Sequence, residues 1–220
     1  MRKEREYSDI YDLARQERRP LTQAQRRQLS ARRVLDAATA LVAEVGVART
    51  TLADISRRAG YSHGIVRVRF GSKSGLMTVL ARDIRERFVS NVLLPAIGDK
   101  TGLEAIEACA QASLRSLFSD DSLGPSFFAI AGEAIAADRE LQPGVAWVWW
   151  SYRERFEGYV AEGIEAGTIR PDTSPKRAAL FIVGAIFGVA MEYLMDRDRV
   201  ELDDMLDGIL TFLHRSLAVQ

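Results

Sequence analysis

Apolar and polar positions along most of the chain follow the 3.6-residue period of amphipathic helices. Apolar residues between Val34 and Val45 recur at this spacing, and Thr22 with Gln25 has the sequence of a capping box. Glycine and proline breakers separate further segments of the same kind. The pattern therefore predicts an all-α fold of about nine helices without a sheet. The predicted helices run from Thr22 or Ser30 to Gly46, then over 51–59, 62–70, 73–92, 103–118, 126–137, 145–167, 175–195 and 202–217.

One stretch, VRVRF at residues 66–70, alternates apolar and charged residues as a half-buried strand does. An isolated strand is unstable because its backbone groups stay unpaired, and no other segment offers a partner. Wound as a helix from Ser62, the stretch places Val66 and Phe70 on one face. We therefore predict two short helices joined by a tight turn at Gly60, which is a helix-turn-helix.

The zero net charge of the chain conceals two regions of opposite charge. Up to Lys73 there are 16 Lys and Arg against 8 Asp and Glu, and after it 14 against 22. This asymmetry favours a basic part that meets a polyanion, although chance also produces such imbalances. A single cysteine, Cys109, fits a reducing compartment. The N-terminus lacks the apolar core of a secretory signal, and the longest apolar run, 178–191, is short for a membrane span, so we expect a cytoplasmic protein without membrane contact.

Residues 32–76 resemble the DNA-binding domain of the TetR family of bacterial transcriptional regulators. The resemblance rests on the first-helix pattern, on TTLADISRRAG, on Ser62-His63-Gly64, and on the sequence FGSK that ends at Lys73. It implies a ligand-responsive regulator, a repressor in most of the family, that binds operator DNA as a two-fold homodimer. The domains expected from it are a flexible polar arm (1–21), a helix-turn-helix domain (22–76), and a helical ligand-binding and dimerisation domain (77–220).

The second helix of the motif is expected to enter the major groove of double-stranded DNA. The resemblance places Thr51 and Lys73 at phosphates, and Gly64 allows a close backbone approach. Ile65 suits a thymine methyl, whereas Arg67 suits either phosphate or guanine. The family often has different residues at 65, 67 and 69, so the operator is not carried over. For the arm, DNA contact and a disordered tail both stay open. The predicted DNA-binding residues are Thr51, Ser62, His63, Gly64, Ile65, Arg67, Arg69 and Lys73.

The C-terminal half is rich in aromatic residues at helical spacing. Such stripes are usually plain core, but a bundle with many large rings also suits a small effector of apolar or aromatic character. The predicted ligand-binding residues are Phe127, Trp149, Tyr152, Phe156, Phe187 and Met191.

The last two predicted helices have features of a dimer interface. Two glycines four residues apart allow helices to approach closely, and leucines run along one face of the final helix. Two such helices from each of two copies would form a four-helix bundle, and a dimer reads two half-sites. The predicted interface residues are Gly184, Gly188, Leu206, Ile209 and Leu213.

Catalysis finds no support in the sequence. The two histidines, His63 and His214, are far apart, and no metal spacing, phosphate loop or nucleophile elbow is visible. We expect no catalytic residue, metal or cofactor. Two alternatives stay open: a constitutive or architectural DNA-binding protein without an effector, and an all-helical enzyme.

Overall fold

The computed structural model describes residues 22–117 and 123–219. Within them it forms helices without a strand, and a single antiparallel bridge joins Ile169 to Ala218. The predicted all-α class is confirmed, and the described helices number nine when α4, the π-helical turn and α5 are counted as one continuous run. The helices are α1 (Gln23–Arg49), α2 (Leu52–Ala59), α3 (His63–Phe70), α4 (Lys73–Phe88), a π-helical turn (Val89–Leu93), α5 (Leu94–Ile97), α6 (Gly102–Ser116), α7 (Leu123–Ala136), α8 (Gln142–Glu165), α9 (Pro175–Met195) and α10 (Leu202–Leu217).

Local sequence signals set the N-terminal helices. The capping box predicted at Thr22 is present, with its hydroxyl and the Gln25 side chain each bonding the other residue's N–H. Gly46, at φ 78°, kinks α1 near its end. Gly60 ends α2 in the left-handed conformation at φ 75°, which glycine adopts without strain. The strand-like stretch is helical, as predicted, because Val66 is fully buried against the core while its neighbours stay outside.

The predicted boundary between residues 76 and 77 falls inside α4, which is one continuous helix. Leu76 and Met77 on either side of it are both completely buried in a common core. Helix α7 also packs on α1, where the buried Ser126 hydroxyl donates to the Thr39 carbonyl oxygen at 3.0 Å. The two predicted units thus share α4 and a contact surface. The predicted arm, 1–21, lies outside the described residues.

The π-helical turn has a local cause in Pro95, at the start of α5. Proline has no N–H to donate and its ring crowds the preceding turn, so a regular α-helix is not maintained through it. The backbone from Val89 to Leu93 widens instead. This places Val92 and Leu93 beside the cavity described below.

Helix α9 is long and apolar enough to cross a membrane by length and composition alone, with a mean hydropathy of 2.0. One side of it is nonetheless core, since residues such as Ile182, Ile186 and Ala190 are buried against the bundle. The opposite side is exposed and also apolar, with Phe181 at 68% and Met195 at 79% exposure. A core face and an exposed apolar face together give this helix its high hydropathy.

Candidate DNA interface and ligand cavity

The outer surface of α3 consists of residues that the fold leaves exposed. Val66 is fully buried and Phe70 is packed against the core, so these two fix the inward side of the helix. Six other residues of the helix face solvent, and Ser62 before them is exposed and makes no side-chain capping bond. The hydroxyl of Ser62 therefore remains available at the helix N-terminus. The exposed residues of α3, called here the recognition face, are His63, Gly64, Ile65, Arg67, Val68 and Arg69.

Both arginines of α2 are bound to carboxylates of the same protein. Arg57 pairs with Asp54, and Arg58 donates from Nη1 and Nη2 to the two carboxylate oxygens of Glu44 at 2.6 Å each. The bonds from Arg58 hold the pKa of Glu44 below its ordinary value. These guanidinium groups are therefore partly neutralised before DNA is present.

The two arginines of α3 differ in the same respect. Arg69 donates from Nη1 to the Ser30 hydroxyl on α1 at 2.7 Å, and its guanidinium lies 5.9 Å from the ring centroid of Phe70. It is turned back toward the protein. Arg67 is exposed, and its side chain makes no hydrogen bond or ion pair to any of the residues that the structure describes. Of the four arginines on α2 and α3, Arg67 is therefore the one whose guanidinium has no hydrogen-bonding partner among the described residues.

The two predicted phosphate-binding residues already serve the fold. Thr51 caps α2: its hydroxyl oxygen accepts from the Asp54 N–H at 3.1 Å and its proton goes to Asp54 Oδ2 at 2.6 Å. This hydroxyl is the largest cause of the lowered pKa of Asp54. Lys73 begins α4 and donates from Nζ to the Ala48 carbonyl at 3.2 Å. To donate to a phosphate, the Thr51 hydroxyl must give up its bond to Asp54, whereas Lys73 keeps two further N–H donors for one.

A cavity of about 120 Å³ lies inside the C-terminal bundle. Its lining is aromatic and aliphatic, and the lining residues that the structure describes include no charged side chain. The hydroxyls of Ser113 and Ser116 donate to carbonyl oxygens of their own helix, each at 2.7 Å. The cavity therefore suits an apolar molecule. It is lined by Ile84, Phe88, Val92, Leu93, Ser113, Ser116, Leu117, Leu123, Gly124, Pro125, Phe127, Phe128, Tyr152, Phe156, Val183, Ile186, Phe187 and Ala190.

Phe187 lies at the centre of the aromatic cluster. Its ring centroid is 4.8 Å from that of Trp149, 5.7 Å from Tyr152, and 5.8 and 6.0 Å from Phe128 and Phe127. The structure brings four predicted ligand residues to the cavity wall: Phe127, Tyr152, Phe156 and Phe187.

Two predicted ligand residues do not line the cavity. Trp149 packs behind the wall, stacked on Phe127 at 5.1 Å between ring centroids. Met191 lies on the outer side of α9 and is 44% exposed. Sequence reasoning also missed the contribution of α4 and the π-helical turn after it, where Ile84, Phe88 and Val92 recur at four-residue spacing and line the cavity. That spacing is the signal that could have found them.

Charged side chains stand just outside the cavity wall. Arg85 lies 5.9 Å from the Tyr152 ring centroid and donates from Nε to the Ser151 hydroxyl at 2.8 Å. Burial raises the pKa of Tyr152 above its ordinary value, with Arg85 and Arg155 opposing that shift. Burial likewise raises the pKa of the Cys109 thiol to about 12, so it stays protonated and unreactive.

A continuous contact line, called here the α4–α8 seam, joins the start of α4 to the start of α8. The Ser74 hydroxyl donates to Asp138 Oδ2 at 2.5 Å, and the Ser72 hydroxyl donates to Glu140 Oε1 at 3.3 Å. Further along, Gly144 packs so closely on α4 that an added Cβ would lie 2.5 Å from the Thr78 methyl carbon. At the far end, Arg82 and Arg85 lie over the ring of Trp147 at 5.0 and 5.4 Å, and Arg85 holds Ser151.

A second connection ties α1 to α4 through four charged residues. Arg87 bridges Asp36 at 2.7 Å and Asp83 at 2.6 Å, while Arg32 reaches Asp83 at 3.2 Å and Asp36 at 3.4 Å. The Arg87 side chain is only 14% exposed, so solvent screens its pairs less than those of a surface cation. These ion pairs therefore connect α1 directly to α4.

The predicted dimer residues divide into two groups. Gly184 and Gly188 are exposed on α9, with no other atom within 4 Å of the Cβ that either lacks. Leu206, Ile209 and Leu213 are 4%, 4% and 1% exposed, because α10 turns this face toward α6 and α9 of its own chain. The leucine face expected at an interface is thus covered within the chain. The exposed apolar residues beside the two glycines are Leu180, Phe181, Met191 and Met195 on α9 and Phe212 on α10.

Among residues 22–117 and 123–219, no group of three His, Cys, Asp or Glu side chains could hold a metal ion. His214 instead contacts Glu107, with Nδ1 3.0 Å from the carboxylate oxygen.

Comparison with known proteins gives one family match. Residues 34–80, from α1 into α4, match the model described as bacterial regulatory proteins, tetR family. Among curated proteins, the fatty acid metabolism regulator protein of Bacillus subtilis (strain 168) is 21% identical over 180 residues, which are 82% of this chain and 91% of that protein.

Solved structures share the whole architecture. A TetR-family transcriptional regulator from Rhodococcus sp. superposes with a TM-score of 0.75 at 15% identity, over 86% of this chain and 100% of the other. The complex of SmeT with triclosan superposes with a TM-score of 0.72 at 23% identity, over 87% of this chain and 93% of the other. At these identities the likeness establishes the common fold.

Proposed function

We propose that the chain is a ligand-responsive transcriptional regulator of the TetR family, and that it represses its target genes until a small apolar effector enters the cavity. In the absence of effector, two copies bind operator DNA through the recognition face. The observation that carries the proposal is the α4–α8 seam, because it connects the cavity wall directly to the helix that follows the recognition face.

DNA binding rests on the recognition face of α3. The exposed N-terminus of this helix carries partial positive charge, and Ser62 offers a hydroxyl to a phosphate oxygen. Arg67 adds a cation that has no partner among residues 22–117 and 123–219, while Lys73 lies where α4 begins. Arg69, held on Ser30, is better placed to support the helix or to reach the backbone than to read a base.

The effector class follows from the chemistry of the cavity wall. The described lining offers rings and aliphatic carbon but no charge to pair with an ionised ligand. A volume of about 120 Å³ is close to the roughly 150 Å³ of an engineered apolar cavity that binds benzene. A molecule of about one ring therefore fits as the cavity stands, and a larger one requires Phe128 or Phe187 to shift. The triclosan complex of SmeT is a precedent for a small ligand in this fold.

The effector acts through two helices that each run from the cavity to the DNA side. Ile84 and Phe88 of α4 line the cavity, and the same helix starts at Lys73. Tyr152 and Phe156 of α8 also line it, and α8 begins beside the Ser74–Asp138 bond. An effector that binds the DNA-released shape more tightly shifts the protein toward that shape. Typical couplings loosen DNA binding about 5- to 150-fold.

Dimerisation is proposed through the exposed apolar side of α9, together with the exposed Phe212 on α10. Contiguous exposed apolar surface of this kind marks an interaction site. Gly184 and Gly188 lie in the middle of it and let a second copy of α9 approach closely. Isologous packing of this face would pair α9 with its own copy across a two-fold axis.

Family members are typically DNA-binding proteins without enzymatic activity, and we infer that this chain also works by binding. Since chromosomal DNA is its partner, we propose that it acts in the cytoplasm. We propose that residues 22–76 bind DNA and that residues 77–220 bind the effector and the second copy, with α4 common to both parts.

The test is a selection of operator DNA from a random duplex pool, followed by binding measurements at several salt concentrations. We expect one enriched palindromic site that binds at least about a thousandfold more tightly than random DNA. A screen of uncharged aromatic compounds should then find one that lowers operator affinity and changes tryptophan fluorescence, since Trp149 stacks on the cavity wall.

Two controls make the test specific. Phe187→Ala should alter the response to the effector while operator binding without effector is retained, because Phe187 is far from the recognition face in the fold. Selection of no preferred sequence would overturn the proposal. An operator that no cavity ligand ever releases would favour the constitutive DNA-binding alternative instead.

A further inference from the structure

Val68 is the most exposed large apolar residue recorded in the described chain, at 90%, and it lies on the recognition face. Successive helix residues are about 100° apart, so Val68 points almost opposite to Val66, which is completely buried. Gly64, four residues earlier, lies on the same outward side of α3. The outermost strip of the helix is therefore a glycine followed by a valine, with Ile65 and Arg67 on its two flanks.

The fold does not require either residue of this strip. A Cβ added at Gly64 would meet no other atom within 4 Å, so glycine there is not imposed by packing, and its φ is not in the left-handed region. A β-branched valine has a lower helix propensity than most residues, and at 90% exposure it gains no compensating burial. In the free protein neither Gly64 nor Val68 gains stability that offsets its low helix propensity, so we expect a binding partner to cover this strip.

The chemistry of the strip selects one base edge. Without a side chain at Gly64, the helix backbone can approach the floor of the major groove closely enough for a short side chain to reach it. In that groove guanine, adenine and cytosine present hydrogen-bonding groups, and thymine adds the C5-methyl group. Valine has nothing to donate or accept, so a polar edge against it would lose water without gaining a bond. A thymine methyl loses nothing polar in that contact.

We infer that Val68 is a specificity-determining residue that reads the C5-methyl group of a thymine in each half-site of the operator, with Gly64 providing the close approach. The inference rests on the proposed DNA-binding function and adds the base that the centre of the recognition face selects. Arg67 then contributes charge at the flank, and the apolar strip supplies the discrimination between A·T and the other pairs at that position.

The experiment replaces thymines of the selected operator one at a time by deoxyuridine, which removes only the methyl group. At one thymine per half-site, the change should weaken wild-type binding about fourfold, the value of one buried methyl, and about 16-fold when both half-sites are changed. Val68→Ala should bind the thymine and deoxyuridine operators equally at that position. Wild type should bind an operator with 5-methylcytosine at this position more tightly than one with cytosine. Val68→Ala should bind these two operators equally.

Matched measurements separate this role from a structural one. Ile135→Ala, at an exposed site on α7, should keep the wild-type preference for thymine over deoxyuridine. Val68→Ala should melt at or slightly above the wild-type temperature, since alanine is the better helix former. An unchanged thymine preference in Val68→Ala at every position overturns the inference, as does loss of that preference in Ile65→Ala instead. Failure to select any operator overturns the proposed function itself, a result that is distinguishable from both.

Discussion

The recognition face and the effector cavity contain side chains under opposite constraints. Almost all of α3 is exposed, and among its residues only Val66 and Phe70 pack into the core. The cavity wall is made of residues that are also the core of the bundle, and Phe187 contacts four other rings. Substitutions on the recognition face should therefore change DNA binding without changing stability. Substitutions in the wall should change both stability and ligand binding.

The sharpest test of this contrast uses two valines of one helix. Val66→Asp buries a carboxylate that has no partner and should lower the free energy of unfolding by more than about 4 kcal/mol, with loss of DNA binding. Val68→Asp should also lose DNA binding, by repulsion from phosphates, but melt within about 0.5 kcal/mol of wild type. Circular dichroism melts and anisotropy titrations with operator DNA measure both. Equal loss of stability in the two variants would abolish the distinction.

In the cavity wall, Phe187→Ala should cost about 3 kcal/mol of unfolding free energy, at the low end for phenylalanine, because the ring is only partly buried and borders the cavity. Operator affinity without effector should stay within about twofold. Trp150→Ala, an aromatic change on the exposed side of α8, is the control and should alter stability by less than about 1 kcal/mol. Denaturant titration distinguishes them. A Phe187→Ala protein as stable as wild type would show that the cluster is not core.

Gly188→Leu tests the proposed dimer surface, which resembles the recognition face in being exposed and apolar. The added side chain meets open space within the chain, so the monomer should fold normally, whereas an overpacked dimer contact should lose about 1 to 3 kcal/mol. Light scattering at micromolar concentration should then show a larger share of species near 24.5 kDa. Gly132→Leu, at a glycine of α7 with equally open surroundings, should leave the mass unchanged.

Arg67→Ala should weaken operator binding by about 1 to 3 kcal/mol if it contacts a guanine, with relaxed preference at one base pair. A pure phosphate contact would instead lower affinity for all sequences and reduce the salt slope by about one. Arg57→Ala is the matched control, since its guanidinium is already paired with Asp54. Salt titrations on operator and random DNA separate these roles. Equal effects of Arg67→Ala and Arg57→Ala would contradict the expectation that the unpaired arginine contributes more to DNA binding than the paired one.

The smallest effect concerns the α4–α8 seam. The Ser74 hydroxyl is the main cause of the lowered pKa of Asp138, with backbone N–H groups and Lys73 adding to it and burial opposing it. A carboxylate with a lowered folded pKa stabilises above its unfolded pKa and loses that contribution as the pH falls through the folded value. In Ser74→Ala the Asp138 pKa should rise toward 3.8, and the acid limb of the stability curve should flatten below about pH 4. NMR titration measures that pKa, with Ser116→Ala as a remote control.

The sequence was sufficient to predict the helices and which side of α3 faces outward, because both follow from local rules. The Thr22 capping box, the Gly60 turn and the burial of Val66 all depend on neighbours within a few positions. The internal partners of Arg58 and Arg69 were not predictable, since Glu44 and Ser30 are 14 and 39 residues away. Local spacing likewise says nothing about which arginine lacks a partner.

The interior of the bundle was predicted less well for the same reason. The four-residue spacing of Phe187 and Met191 puts them on one side of α9, yet Phe187 lines the cavity and Met191 is exposed to solvent. The leucine face of α10 was recognised correctly as apolar, but its partner is α6 of the same chain rather than a second copy. Periodicity identifies an apolar face without identifying what covers it.

The close packing of Gly144 on Thr78 limits how pieces of this protein could be recombined with those of relatives. A chimera joined in α4 after Thr78 would combine Thr78 from one parent with the start of α8 from another, and a side chain larger than glycine at residue 144 would overlap Thr78. A DNA-reading module grafted onto a foreign sensor should therefore bring residues 138–144 along with the whole of α4. The contact between α4 and the start of α8 has to be transferred as a whole, and because its two sides are far apart in sequence, a single junction in the chain cannot transfer it.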